Sequence, residues 1–358
     1  MTTKIKSFCS RLLSKRATSA IISICILSSF LLGGCGKVNL YPEKKEVKIG
    51  VCIFDEYDTF VNSVAQSMEE WGRNKEKETG IRFTVTIESA MGSQYTQNDQ
   101  VEKFIAQGYD VLCVNLVDRT DATMIIDKAM ASDTPVVFFN RELVEEDLAR
   151  WDKLYYVGTL AEQSGRMQAQ IIIEDLADPK KLKQIDVNKN GIIQYVILEG
   201  EAGHQDTLVR TQVVTEELKN AGIYLEKLGD EYANWSKDQA KSKMKALMER
   251  YPFQIEMVIA NDDNMALGAI EALEESDYPT NPSVYGINGT QEALEAIRTM
   301  RLNGSVFNDS KAMGEKIMII AYSLATDNEI PQEIELSFGK YLYLPCSKIT
   351  YDNVREYL

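Results

Sequence analysis

The chain has 358 residues, 44% of them hydrophobic and 26% charged, with a formal net charge of −15 at pH 7. That length supports two domains of ordinary size, each able to bury its own core. So acidic a surface excludes nucleic acid as the partner, because a phosphate backbone demands basic patches, and it suits a neutral small ligand.

The first residues read as an export signal. Lys4, Lys6, Arg11, Lys15 and Arg16 precede any acidic side chain, and an apolar run from Ala20 to Leu32 ends in Leu32-Gly33-Gly34-Cys35. A basic start, a short apolar centre and small residues at the end describe a secretory signal, and the run is short for a membrane-spanning helix. The tetrad resembles the lipobox of bacterial lipoproteins. That implies residues 1–34 as a lipoprotein signal peptide, a lipid on Cys35 and a tether over 35–45, with anchoring on the extracytoplasmic face of the cell membrane. Losing the five basic residues of the signal takes the net charge from −15 to about −20. Cys9 and Cys25 leave with the signal; Cys52, Cys113 and Cys346 are too scattered for a disulfide framework or a zinc site and read as buried small hydrophobes.

Beyond the tether, short β-branched runs alternate with amphipathic stretches. Strands are predicted over 47–54, 81–88, 110–117, 135–140, 192–200, 256–261, 283–288 and 304–308. Helices are predicted over 60–77, 98–106, 121–130, 160–176, 206–220, 236–251, 262–274, 290–300 and 311–326. Apolar strands separated by long helices mark parallel α/β sheets, here two doubly wound lobes. Such sheets bind ligands beyond the carboxyl ends of their strands. The residues there are Asp58, Phe60, Asn115, Asn140, the loop 199–206, Asn261, Asp262, Asn288 and Asn308, a strongly polar set.

No glycine-rich phosphate loop is present, no serine or cysteine stands at an elbow-like turn near a strand end to serve a catalytic triad, and the single histidine, His204, with scattered cysteines makes no four-ligand zinc site. The strand-end amides and carboxylates, with Arg210 and the aromatic plates Phe60 and Trp235, match what a neutral sugar needs: hydrogen-bonding partners for its hydroxyls and a flat surface for its C–H face. The run Asp186-Val187-Asn188-Lys189-Asn190-Gly191-Ile192-Ile193-Gln194 matches the first nine positions of a calcium loop, with oxygen donors at one, three, five and nine and glycine at six. Ile197 stands where a bidentate glutamate is needed. The run is either an Asx-rich turn or a calcium site whose last carboxylate arrives from elsewhere; the matching positions favour calcium.

From Val47 to about Tyr351 the chain resembles the ribose/galactose-type sugar-binding proteins of bacterial transporters, and among them the periplasmic glucose/galactose binders. The blocks that carry the resemblance are IGVCIF with Tyr57-Asp58-Thr59-Phe60, QNDQ (97–100), NLVD (115–118), VVFFNRE (136–142), YYVGT (155–159) and DVNKNGIIQ. They continue with GEAGHQDTLVR (200–210), Trp235, VIANDDNMALGA (258–269) and SVFND (305–309), in the family's order.

The resemblance implies Phe60 and Trp235 as ring plates, with Asp58, Asn140, His204, Asp206, Arg210, Asp262, Asn288 and Asn308 as polar contacts. It also implies a structural Ca2+ held by Asp186, Asn188, Asn190, Gln194 and Glu256 through side chains and by Ile192 through its carbonyl. Asp262 and Asn288 depart from the family: an amide stands there at the first position and a carboxylate at the second. The implied lobes are 46–159 with 308–341, and 160–307 with 342–358, closing by hinge motion on a hexose such as glucose or galactose. The implied role is not enzymatic: a lipid-anchored binding protein that delivers its sugar to an ABC transporter permease. A sensor subunit docking on a membrane histidine kinase or chemoreceptor is the alternative. A glycosidase using Asp58 and Asp206 lacks any sign of a raised acid and an open cleft, and a sugar-responsive repressor lacks its headpiece.

Overall fold

A computed structural model describes residues 46–358, which form one compact unit. Cys35, the signal and the tether lie outside the described residues. Twelve strands and eleven α-helices alternate along most of this region.

The first sheet collects β1 (Glu46–Ile53), β2 (Arg82–Ser89), β3 (Val111–Val114), β4 (Val136–Phe139), β5 (Leu154–Thr159) and β11 (Tyr341–Leu344) in the order β11-β5-β4-β3-β1-β2. All its pairings are parallel. The second sheet collects β6 (Ile193–Glu199), β7 (Leu225–Tyr232), β8 (Met257–Ala260), β9 (Ser283–Tyr285), β10 (Gly304–Asn308) and β12 (Cys346–Thr350) in the order β12-β10-β9-β8-β6-β7. Only β12 runs antiparallel there. Each sheet thus repeats one doubly wound order with a late edge strand added, and the α/β two-lobe class read from the sequence stands.

Helices cover both faces because the central strands are apolar on both: β3, β4 and β8 are buried throughout. Around the first sheet lie α1 (Thr59–Thr79), α2 (Gln94–Ala106), α3 (Thr123–Ser132), α4 (Glu145–Leu148) and α11 (Ser310–Ala325). Around the second lie α5 (Ala161–Ala177), α6 (Pro179–Ile185), α7 (Gln205–Asn220), α8 (Lys237–Arg250), α9 (Asp263–Glu274) and α10 (Gln291–Arg298). Two apolar clusters flank each sheet, so each lobe has its own core. Cys52, Cys113 and Cys346 are buried free thiols.

The chain passes between sheets three times: from β5 to α5, from β10 to α11, and from β11 to β12. Two boundaries differ from the expected ones. Asn308 completes β10 in the second sheet, and residues 342–344 complete β11 in the first, so Pro345 is the turning point. The strands β7, β11 and β12, all at sheet edges, lie outside the predicted set, although β11 is the apolar run Tyr341-Leu342-Tyr343-Leu344. In β7, Glu226, Lys227 and Asp230 are exposed between half-buried neighbours. Among the described residues no helix is long and apolar enough to cross a membrane.

Candidate functional site

Three of the expected contact residues are helix N-caps. Asp58 follows β1 and its Oδ1 accepts from Val61 N at 2.9 Å at the head of α1. Asp262 follows β8 and its Oδ1 accepts from Met265 N at 2.9 Å at the head of α9. His204 caps α7, its Nδ1 accepting from Asp206 N at 3.1 Å. A short polar side chain before a helix satisfies one of the orphan N–H groups, and helix N-termini favour negative charge. The same junctions that start the helices therefore bring these side chains to the carboxyl ends of both sheets.

Nine of the ten expected sugar contacts line one cavity between the lobes: Asp58, Phe60, Asn140, His204, Asp206, Arg210, Trp235, Asp262 and Asn288, with Phe54 and Arg141 beside them. The empty space around these side chains amounts to about 340 Å³, part of it open to solvent. Asn308 stands behind it, its Nδ2 donating to Asn288 Oδ1 at 3.0 Å. The sequence reading missed Phe54 and Arg141. Arg141 follows Asn140 directly, in a block quoted for its resemblance, so the signal was there; its direction into the cleft was not.

The lobes meet across the cavity. Arg141 from the first lobe makes a bidentate pair with Glu201 of the second, at 2.9 and 3.0 Å, donates to Val117 O at 2.7 Å, and lays its guanidinium 3.7 Å from the centre of the Phe54 ring. Thr59 Oγ1 donates to Asn264 Oδ1 at 2.8 Å.

The hydrogen-bond polarity of the lining is largely set. Arg210 gives one nitrogen to Asp206 Oδ2 at 2.8 Å and another to Asn261 O at 3.0 Å. Its Nε is buried without a partner, as is the indole N–H of Trp235. Buried donors without acceptors are rare and mark where a ligand acceptor belongs. Because Nδ1 of His204 accepts, its proton sits on Nε2. Burial pushes its pKa down to about 4, with Arg141 and Arg210 pushing the same way against Asp206 and Glu201. Burial also raises the carboxyls of Asp58 and Asp262, the latter well above the ordinary range and helped by the negative charge of Asp58 and Asp263. A buried carboxylate needs hydrogen-bond donors, and a polyol supplies them.

Backbone strain gathers at the lining. Asn140 (φ 61°), Trp235 (φ 61°) and Asn288 (φ 121°) all occupy the positive-φ region, costly for residues with a Cβ and typical of functional positions. Trp235 also depends on Gly200: a Cβ there would sit 2.1 Å from the indole. His204 meets Trp235 edge-on, ring centres 5.2 Å apart.

A second cluster lies at the start of β6. Asp186 accepts from the backbone N–H of Asn190 and Gly191 at 3.1 and 3.2 Å, and Asn188 and Asn190 accept from Asn190 N and Ile192 N. Glu256, distant in sequence, accepts from Asn188 N at 3.2 Å and Gln194 N at 3.1 Å, while Asn188 Nδ2 donates to Gln194 Oε1 at 2.7 Å. The structure therefore brings Glu256 to the nine-residue loop. Two carboxylates, three side-chain amides and the Ile192 carbonyl make a hard-oxygen donor set that fits Ca2+. Among the described residues no group of three or more His, Cys, Asp or Glu side chains is placed to hold a metal ion, so the amides and the carbonyl would have to complete the set.

The family model of the periplasmic binding protein domain matches residues 49–329. The D-galactose/methyl-galactoside binding periplasmic protein of Haemophilus influenzae is 32% identical over 313 residues, covering 87% of this chain and 92% of its own. The ribose import binding protein of Bacillus subtilis is 26% identical, covering 84% and 90%. An ABC transporter solute binding protein of Bacillus halodurans, crystallised with bound myo-inositol, superposes with a TM-score of 0.73 at 26% identity, covering 88% of this chain and 99% of the other.

Proposed function

Because this chain belongs to the periplasmic binding protein domain family, a family of binding proteins and not of enzymes, we propose that it captures a hexose of the glucose/galactose kind between its lobes. It then delivers the sugar to the permease of an ABC transporter from a lipid anchor on Cys35. The observation that carries this reading is the interlobe cavity itself. Its lining combines two buried donors without partners, Arg210 Nε and the indole N–H of Trp235, with the carboxyls of Asp58 and Asp262 and the ring of Phe60. Polyol hydroxyls both donate and accept, and so satisfy both sets. Glucose, galactose, ribose and arabinose, titrated calorimetrically into the purified chain, give one-to-one binding of a hexose on this reading. Binding of a pentose alone would move the substrate class, and silence toward all four would end the sugar reading.

The loop 186–194 with Glu256 is assigned a structural Ca2+. Asp186, Asn188, Asn190, Gln194, Glu256 and the Ile192 carbonyl would hold it, and the ion would brace the start of β6. The lipid anchor is tested by detergent phase partitioning: the mature protein enters the detergent phase, and a Cys35→Ala chain does not.

A further inference from the structure

Two asparagines that do not line the cavity stand behind two that do. In the first lobe Asn115 is fully buried; its Oδ1 accepts from Phe54 N at 3.2 Å, and its Nδ2 donates to Phe139 O at 3.2 Å and to Asn140 Oδ1 at 3.1 Å. A backbone N–H can only donate and a backbone C=O can only accept, so this amide has one orientation. It occupies the oxygen of Asn140 and leaves that residue's NH2 for the cavity. In the second lobe Asn308, 2% exposed, stands behind Asn288 in the same way, with a thiol in place of the backbone partners. Its Nδ2 donates to Asn288 Oδ1 at 3.0 Å, and its Oδ1 accepts from the thiol of Cys346 at 3.1 Å. Cys346 opens β12, at the third crossing between the lobes, and its backbone N–H is held by Gln163 Oε1 at 3.3 Å.

We infer that Asn115 and Asn308 are positioning residues that set the polarity of the pocket, with Cys346 holding Asn308, so that Asn140 and Asn288 both offer NH2 donors to the ligand. Asp262, whose Oδ1 is taken by its own helix, has Oδ2 left for the ligand. The hydroxyl that meets Asn288 must therefore accept. The exchange of carboxylate and amide at these positions thus becomes a directional choice among sugar epimers, made from behind the lining. This inference rests on the sugar-binding reading above.

The test compares Asn308→Asp with Asn288→Asp. An aspartate at 308 still accepts from Cys346 but no longer donates to Asn288, whose amide turns over and presents its oxygen to the ligand. Both variants convert position 288 from donor to acceptor. In calorimetric titrations with glucose, galactose and their deoxyfluoro derivatives, both should weaken the best wild-type ligand by about tenfold or more. Both should also reorder the panel in the same way. Cys346→Ser, which keeps a donor, should leave the wild-type order unchanged, and Asn115→Asp should mirror Asn140→Asp in the other lobe. A uniform loss across the panel for Asn308→Asp, with the ranking intact, would show a merely structural role and overturn the inference; so would different rankings for the two variants. If Asn308→Asp does not fold, the pair at 115 and 140 decides by the same criterion. A wild-type chain that binds no sugar of the panel sinks the sugar reading and the inference with it. Wild-type binding without reordering sinks the inference alone.

Discussion

At Gly200 a single hydrogen atom separates a working cavity from a blocked one. Gly200→Ala would put a methyl group inside the Trp235 ring, so the indole must leave its place. The expected result is a loss of about 1–3 kcal/mol in stability and at least a tenfold loss in sugar affinity, read by thermal melts and calorimetry together. Unchanged affinity would mean that Trp235 is not a ligand plate. His204 carries a pH signature. Its pKa is about 4 in the fold against about 6.5 for a free imidazole, so the unfolded chain binds more protons between those values. The stability it contributes is fully present above pH 6.5 and is lost as pH falls towards 4, by about 3 kcal/mol at most. Urea titrations across that window should show the slope, and His204→Gln should flatten it. The carboxyl of Asp262 has the opposite sign: raised by burial, it favours the fold below its unfolded pKa and weakens it as pH rises. Asp262→Asn should therefore raise the melting temperature of the ligand-free protein at pH 8 more than at pH 5, while sugar affinity falls.

Among the elements, the loop before β6 and the strand β8 depend on each other through Glu256, whose two oxygens hold backbone groups on the far side of the loop. A cation bound only by the folded chain stabilises it by about 2.7 kcal/mol at a hundredfold excess over its Kd, roughly 5–10 °C in melting temperature for a domain of this size. Calcium should produce such a shift, a chelator should remove it, and Glu256→Gln should abolish the response while leaving the fold intact. A wild-type melt that ignores both calcium and chelator would leave the loop as a self-satisfied Asx turn.

For the whole molecule, the Arg141–Glu201 pair bridges the lobes and its arginine is buried between a ring and a carbonyl. Hinge closure is a general way for two-lobed proteins to sequester a ligand, and a contact made only on closure acts on the rate of opening. Glu201→Ala should raise the sugar off-rate about tenfold, with little change in on-rate; Glu201 is one-third exposed, so the effect stays below that of a fully buried pair. Small-angle scattering of the sugar-loaded variant should show a larger radius of gyration than wild type. An unchanged off-rate would assign closure to the ligand alone.

The sequence by itself determined the fold class. Apolar strands buried on both faces and separated by long helices admit few architectures other than parallel α/β lobes, and β3, β4 and β8 announce themselves by continuous β-branched runs. It also pointed to most of the residues that line the interlobe cavity, because polar side chains at strand ends and helix caps are local features with local signals. The edge strands β7 and β12 were not legible, since their charged and polar residues leave no apolar run, whereas the edge strand β2 was legible and β11 carries an apolar run outside the predicted set. Nor could the chain order show that Arg141 turns into the cleft, that Asn308 stands behind Asn288, or that Glu256 reaches a loop 62 residues away. Those outcomes depend on how two sheets face each other and on which hydrogen-bond partner each side chain finds there. Only the tertiary structure decides them.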